Sequence, residues 1–106
     1  MTMKLLFAVL LVVFLFGCQA PKTGTVTFYG GDGSSIEKAV IICGASGESA
    51  GIAAEHLWLR EHYPSCRLTL QGLRDANGHA YDKMDILTAD GQPRSVFFDI
   101  TSFFGQ

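Results

Sequence analysis

Leu5 to Phe16 is an unbroken run of 12 apolar residues, preceded by one positive charge at Lys4 and closed by Gly17-Cys18. Wound as a helix, such a run extends about 18 Å, well short of the ~30 Å hydrocarbon core of a bilayer, so it reads as a secretory signal rather than a permanent transmembrane anchor. The segment also distorts the composition. Of the 51 apolar residues, 14 fall in the first 17 positions, and the remaining 89 positions hold 37. That is an ordinary globular fraction, which excludes a polytopic membrane protein and a disordered chain.

Fewer than ninety residues outside the leader make one small domain. Folding at this size buries roughly 60–65% of the unfolded chain's surface, which rules out the large enzyme architectures that surround a cleft with many loops. Without Lys4, seven Lys/Arg stand against ten Asp/Glu, scattered without runs. No basic patch is available for phosphates, so nucleic acid is excluded as an expected partner.

Leu15-Phe16-Gly17-Cys18 resembles the bacterial lipobox: a short apolar region, Leu three before the cysteine, a small residue directly before it and a polar stretch after it. Phe16 departs from the small or β-branched residue usual at its place. The resemblance implies a signal peptide over 1–17, a diacylglyceryl group on the Cys18 thiol, cleavage just before Cys18 and acylation of the new amino group. Several acyl chains exceed the two-signal requirement for stable anchoring, so the expected partner is a membrane. Gln19 stands where an Asp would resemble an inner-membrane retention signal. By analogy with enteric bacteria, the expectation is the outer membrane, facing the periplasm.

Residues 18–24, with Pro21 and Gly24 and no apolar periodicity, read as lipidated cysteine and tether, and 25–106 as the domain. Thr25 to Tyr29 is β-branched and aromatic and stops at Gly30-Gly31-Asp32-Gly33, which predicts a first strand. Lys38 to Cys43 predicts a second, too apolar for an edge. Glu48 to Tyr63 predicts the only helix: Ala50, Ala53, Ala54, Leu57 and Trp58 follow helical spacing as a core face, and Pro64 ends the run. From Arg67 the period changes to two, predicting strands at 67–74, 80–88 and 95–101 separated by Asp75-Ala76-Asn77-Gly78 and Asp90-Gly91-Gln92-Pro93. The order β-β-α-β-β-β predicts an α+β fold, one helix packed on a mainly antiparallel sheet, for which a cystatin-like arrangement is an analogy.

Ala54 to Leu59, Tyr63-Pro64, Tyr81-Asp82, Thr88 to Gly91 and Phe97 to Gly105 together are similar to a group of small uncharacterised bacterial lipoproteins. That resemblance implies localisation and domain size. It implies no mechanism.

Gly47-Glu48-Ser49-Ala50-Gly51 matches the G-x-S-x-G of esterase nucleophile elbows, between a strand and a helix. Against a serine hydrolase, Gly44-Ala45-Ser46 separates it from the strand, His79 with Asp75 or Asp82 is the only base arrangement downstream, and no oxyanion loop accompanies it. The plainer reading is a turn that brings the helix close to the sheet, with Ser46 or Ser49 as N-cap. Glu55 and His62 share a helix side but make too few ligands for zinc, and a solvated face is expected there. No metal and no cofactor are expected. The expected function is a lipid-anchored envelope protein, a non-enzymatic interaction or structural module that binds another envelope component or stabilises a larger assembly.

In an oxidising compartment Cys43 and Cys66 are candidates for a disulfide, provided that the strand ends flanking the helix lie within ~7 Å between Cα atoms; otherwise they are separate small hydrophobes. Ile52, Leu59 and Tyr63 repeat along the helix opposite the expected core face. Either the sheet or a loop covers them, or they form a partner face.

Overall fold

A computed structural model describes Cys18 and residues 25–106; the leader at 1–17 and the tether at 19–24 lie outside the described residues. The elements run β1 (Thr27–Gly30), β2 (Val40–Cys43), α1 (Glu48–His62), β3 (Arg67–Ala76), β4 (His79–Leu87) and β5 (Pro93–Asp99). This is the expected α+β succession. The five strands form one sheet in the order β1-β2-β5-β4-β3, which places the apolar β2 inside the sheet as anticipated.

Local chemistry accounts for the connections. Asn77 and Gly78 both take positive φ between the paired residues Ala76 and His79, giving the two-residue Asn-Gly hairpin turn whose twist suits flanking strands. Thr88 to Gln92 closes the next hairpin, and its Thr88 N–H donates to the Gln92 carbonyl at 2.9 Å. β3, β4 and β5 are therefore consecutive antiparallel neighbours. β2 joins them by a parallel pairing with β5, Val40 opposite Phe98, because the chain has crossed from β2 through α1 to the far edge before returning. Among the described residues, no helix is long and apolar enough to cross a membrane.

Alternation along the strands fixes the core. Val40, Ile42, Met84, Ile86, Val96 and Phe98 meet Ala54, Trp58 and Leu59 of α1, and Ile100 and Phe103 of the C-terminal turns close one end. Trp58 stands edge-on to Phe98, ring centroids 5.5 Å apart.

The helix has the expected length but a different buried face. Gly51, Ala54, Glu55, Trp58 and Leu59 are buried, while Ala53 and Leu57 are exposed and Ala50 is half-buried. The buried set has i, i+3, i+4, i+7, i+8 spacing, so the periodicity is intact. Its phase escaped a hydrophobicity reading because a glycine and a glutamate occupy two of the five positions. Gly51 is required where it is: a Cβ there would overlap the Phe103 ring. The expected Ser46 or Ser49 cap is also corrected, since Gly47 is the N-cap, no side chain caps the helix, and the Gly47 carbonyl accepts from Gly51 N–H at 2.9 Å.

Candidate functional site

The three residues of the anticipated partner face do not share one surface. Leu59 is a core residue, Tyr63 packs against the core cluster, and only Ile52 is open to solvent, at 45%. The rotated phase of α1 is the cause.

The Cys43–Cys66 bridge is likewise corrected. Cys43 is bonded to Cys18, with Cα atoms 5.2 Å apart, and Cys66 carries a free thiol. Cys43 ends β2, whereas Cys66 precedes β3, three positions across the sheet. At ~4.8 Å per strand that is ~14 Å, twice the reach of a disulfide. The Cys18 sulfur lies beside β2, 3.7 Å from the Ile42 carbonyl oxygen.

The hydrolase arrangement is not assembled. Ser49 lies exposed in the first turn of α1, and no hydrogen bond joins it to a histidine among the described residues. His79 instead meets Asp99, Nδ1 to Oδ2 at 2.8 Å. The other oxygen of Asp99 accepts from the backbone N–H and the hydroxyl of Thr101, at 3.0 and 2.6 Å. Asp99 thereby locks the β5 terminus rather than orienting a base toward Ser49. Among the described residues, no three His, Cys, Asp or Glu side chains are grouped as a metal ion would need.

Two clefts remain. The larger, about 560 Å³, lies between the β1 edge and the C-terminal half of α1 and is walled by Phe28, Tyr29, Trp58, His62 and Tyr63, with Gly30 to Asp32 at one end. Trp58 forms its rigid back: His62 stacks on the indole with centroids 3.8 Å apart and an interplanar angle of 11°. A contact at 3.0 Å between His62 Nδ1 and the Trp58 carbonyl holds that ring in place. Tyr29 is 56% exposed at the rim. At the end of the cleft the hydroxyl and N–H of Ser34 donate to Asp32, keeping its carboxyl below the usual carboxylate range. The arrangement offers aromatic faces, a histidine and one ionised carboxylate.

The smaller cleft, about 200 Å³, lies between the start of α1, β3 and the C-terminal turns, with Ile52, Leu73, Ile100, Phe103 and Phe104 as apolar walls and Glu48, Gln71 and Asp82 as polar members. Asp82 is buried on β4, and its Oδ2 accepts from Gln71 Nε2 at 2.7 Å. Behind it is Glu55, fully buried, with no donor to either carboxyl oxygen from the other described residues. Burial, and after it the neighbouring Asp82 carboxyl, push Glu55 up to about 9. A neutral Glu55 supplies the missing donor itself, its proton shared with Asp82. The expected solvated face holds for His62, which is exposed while it stacks on Trp58, and is corrected for Glu55, which is core.

Sequence reasoning passed over both clefts. The aromatic one has a visible trace in Phe28-Tyr29 and Trp58…His62-Tyr63, two aromatic clusters, but their meeting depends on β1 lying beside β2. Glu55 is visible as the one acid within the stripe Gly51, Ala54, Trp58, Leu59. No family model, curated protein or solved structure matches the chain.

Proposed function

We propose that the chain is a lipid-anchored cell-envelope protein whose domain is a non-catalytic interaction module, held on a membrane by acyl chains on Cys18 and engaging an envelope partner through the aromatic cleft. The observation supporting an interaction module is that cleft. Its volume falls within the range of ligand pockets, and partly exposed aromatic rings on a rigid base are the side chains that recognition surfaces use most. The short apolar leader ending at Gly17-Cys18 supports the anchor, and Gln19 supports the outer membrane's periplasmic leaflet.

The Cys18–Cys43 bond favours a second reading. A sulfur joined to Cys43 cannot also carry a thioether, so in this reading the domain is exported, closed by a disulfide and free of lipid at Cys18. Metabolic labelling with radioactive palmitate separates the two. Wild type is expected to incorporate label and sediment with membranes, and Cys18→Ala to do neither. Equal labelling of both, with both soluble, removes the anchored reading.

A further inference from the structure

β3 is the last strand of the sheet and its longest, and among the described residues its outer edge meets no other strand. The Asn77-Gly78 turn fixes which backbone groups that edge presents. In a two-residue hairpin the flanking pair, here Ala76 and His79, exchanges both backbone hydrogen bonds, and bonded and non-bonded positions alternate along an antiparallel pair. Leu70, Gly72, Arg74 and Ala76 therefore turn their N–H and C=O groups toward β4, while Gln71, Leu73 and Asp75 turn theirs outward. Two contacts agree with that phase. The Ala80 carbonyl on β4 points away from β3 and accepts from Ile100 N–H, and the Leu73 carbonyl is open to the exposed Arg74 guanidinium, whose Nη1 donates to it at 3.1 Å. Native sheets ordinarily blunt such an edge. A register shift between Leu68 and Leu70 does so at the start of β3, but 70–76 pairs regularly and contains neither proline nor lysine, and Leu70 and Leu73 are 65% and 48% exposed.

From this edge we propose that a second copy of the chain adds to it, β3 pairing antiparallel with the copy's β3 across a two-fold axis at Leu73, so that two five-stranded sheets become one. In this register the edge is self-complementary. Gln71 meets the copy's Asp75, Leu73 meets itself, and Asp75 meets the copy's Gln71, each pair exchanging two backbone hydrogen bonds. Residues opposed in this way share a face. On the core side of the sheet, a carboxamide donor faces a carboxylate twice, and Leu73 packs on its copy with the exposed Ile52 and Phe104 beside it. On the other side Gly72 leaves room for the copy's Arg74. Other registers do worse. A slip by one residue sets outward groups against inward ones, a slip by two sets Arg74 directly against Arg74, and the opposite slip brings Asp75 to the irregular Thr69. Arg74 gives up the Leu73 carbonyl, which then accepts from the copy's Leu73 N–H. Such a two-fold contact closes on itself and stops at the dimer. β1, beside which the aromatic cleft lies, is the opposite edge of the sheet, so the proposal stands apart from the binding reading and from the fate of Cys18.

The test measures amide hydrogen exchange at single-residue resolution on the full chain in detergent micelles, over an about hundredfold range of protein concentration, with sedimentation equilibrium in density-matched detergent on the same samples. A monomer–dimer equilibrium is expected, with exchange at Gln71, Leu73 and Asp75 slowed at least about tenfold as dimer forms, while Leu70, Gly72 and Arg74 are protected at every concentration. Leu73→Lys, which sets two ammonium groups face to face, is expected to raise the dissociation constant at least about tenfold and to leave the melting of the monomer unchanged. A chain that stays monomeric, a dimer in which the three amides still exchange freely, or a Leu73→Lys chain that dimerises like wild type would each overturn the proposal. A dimer joined through the leaders or the aromatic clefts gives the second of these results. The wild-type amide pattern decides the question even if Leu73→Lys fails to fold.

Discussion

At the scale of single residues, Glu55 is the group with most energetic consequence. Its carboxyl is pushed up to about 9 in the folded domain from an ordinary 4.5. Between those values the native state holds one more proton than the unfolded chain, so stability falls as pH rises, by ~1.4 kcal/mol per pH unit for one group. The neutral acid's contribution is complete below about pH 4.5 and is lost as pH climbs toward about 9. Thermal melts of wild type are therefore expected to show a marked decline from about pH 5 to about pH 9, worth a few kcal/mol. Glu55→Gln keeps a neutral donor beside Asp82 at every pH, so it should flatten that decline and melt above wild type near pH 8. Parallel pH profiles for the two proteins would show that Glu55 is ionised at no cost. The sequence displays this acid inside an otherwise small and apolar stripe, but only the neighbouring strand supplies the Asp82 that completes the pair.

At the scale of elements, most of the fold was legible because its signals are local. The β-branched and aromatic runs bounded by Gly30-Gly31, Asn77-Gly78 and Asp90-Gly91 became strands at nearly the expected positions. Pro64 stopped the helix within two residues, as its effect on the preceding residue requires. The phase of α1 was not legible, since it is set by what the helix meets: Phe103 takes the space that Gly51 leaves, and Glu55 is tolerated as a neutral acid. Gly51→Ala tests this directly. In an isolated helix alanine is worth ~1 kcal/mol over glycine, but here its Cβ overlaps the Phe103 ring, and overpacking costs about 1–3 kcal/mol. A net loss of up to about 2 kcal/mol in urea denaturation is expected, partly recovered by Phe103→Leu. A more stable Gly51→Ala protein would mean that Phe103 does not seat on α1.

At the scale of the whole molecule, strand order decides what local patterns cannot. Cys43 and Cys66 flank one helix in sequence, yet two strands separate β2 from β3, so the pair that looked adjacent is not. The aromatic cleft arises the same way, from β1 folding back on β2 beside α1. Cys18 stands where both accounts of the molecule meet. Joined to Cys43 it tightens the start of the domain on the sheet; joined to lipid it fixes the domain to a membrane and leaves Cys43 a thiol. The most direct measurement is the intact mass and thiol state of the protein extracted from the envelope without reductant and alkylated after denaturation. The anchored account predicts a chain that begins at Cys18, carries diacylglyceryl and amide-linked acyl groups, and is alkylated at both Cys43 and Cys66. A lipid-free chain alkylated at Cys66 alone, with Cys18 and Cys43 recovered as a disulfide-linked peptide pair, would contradict it.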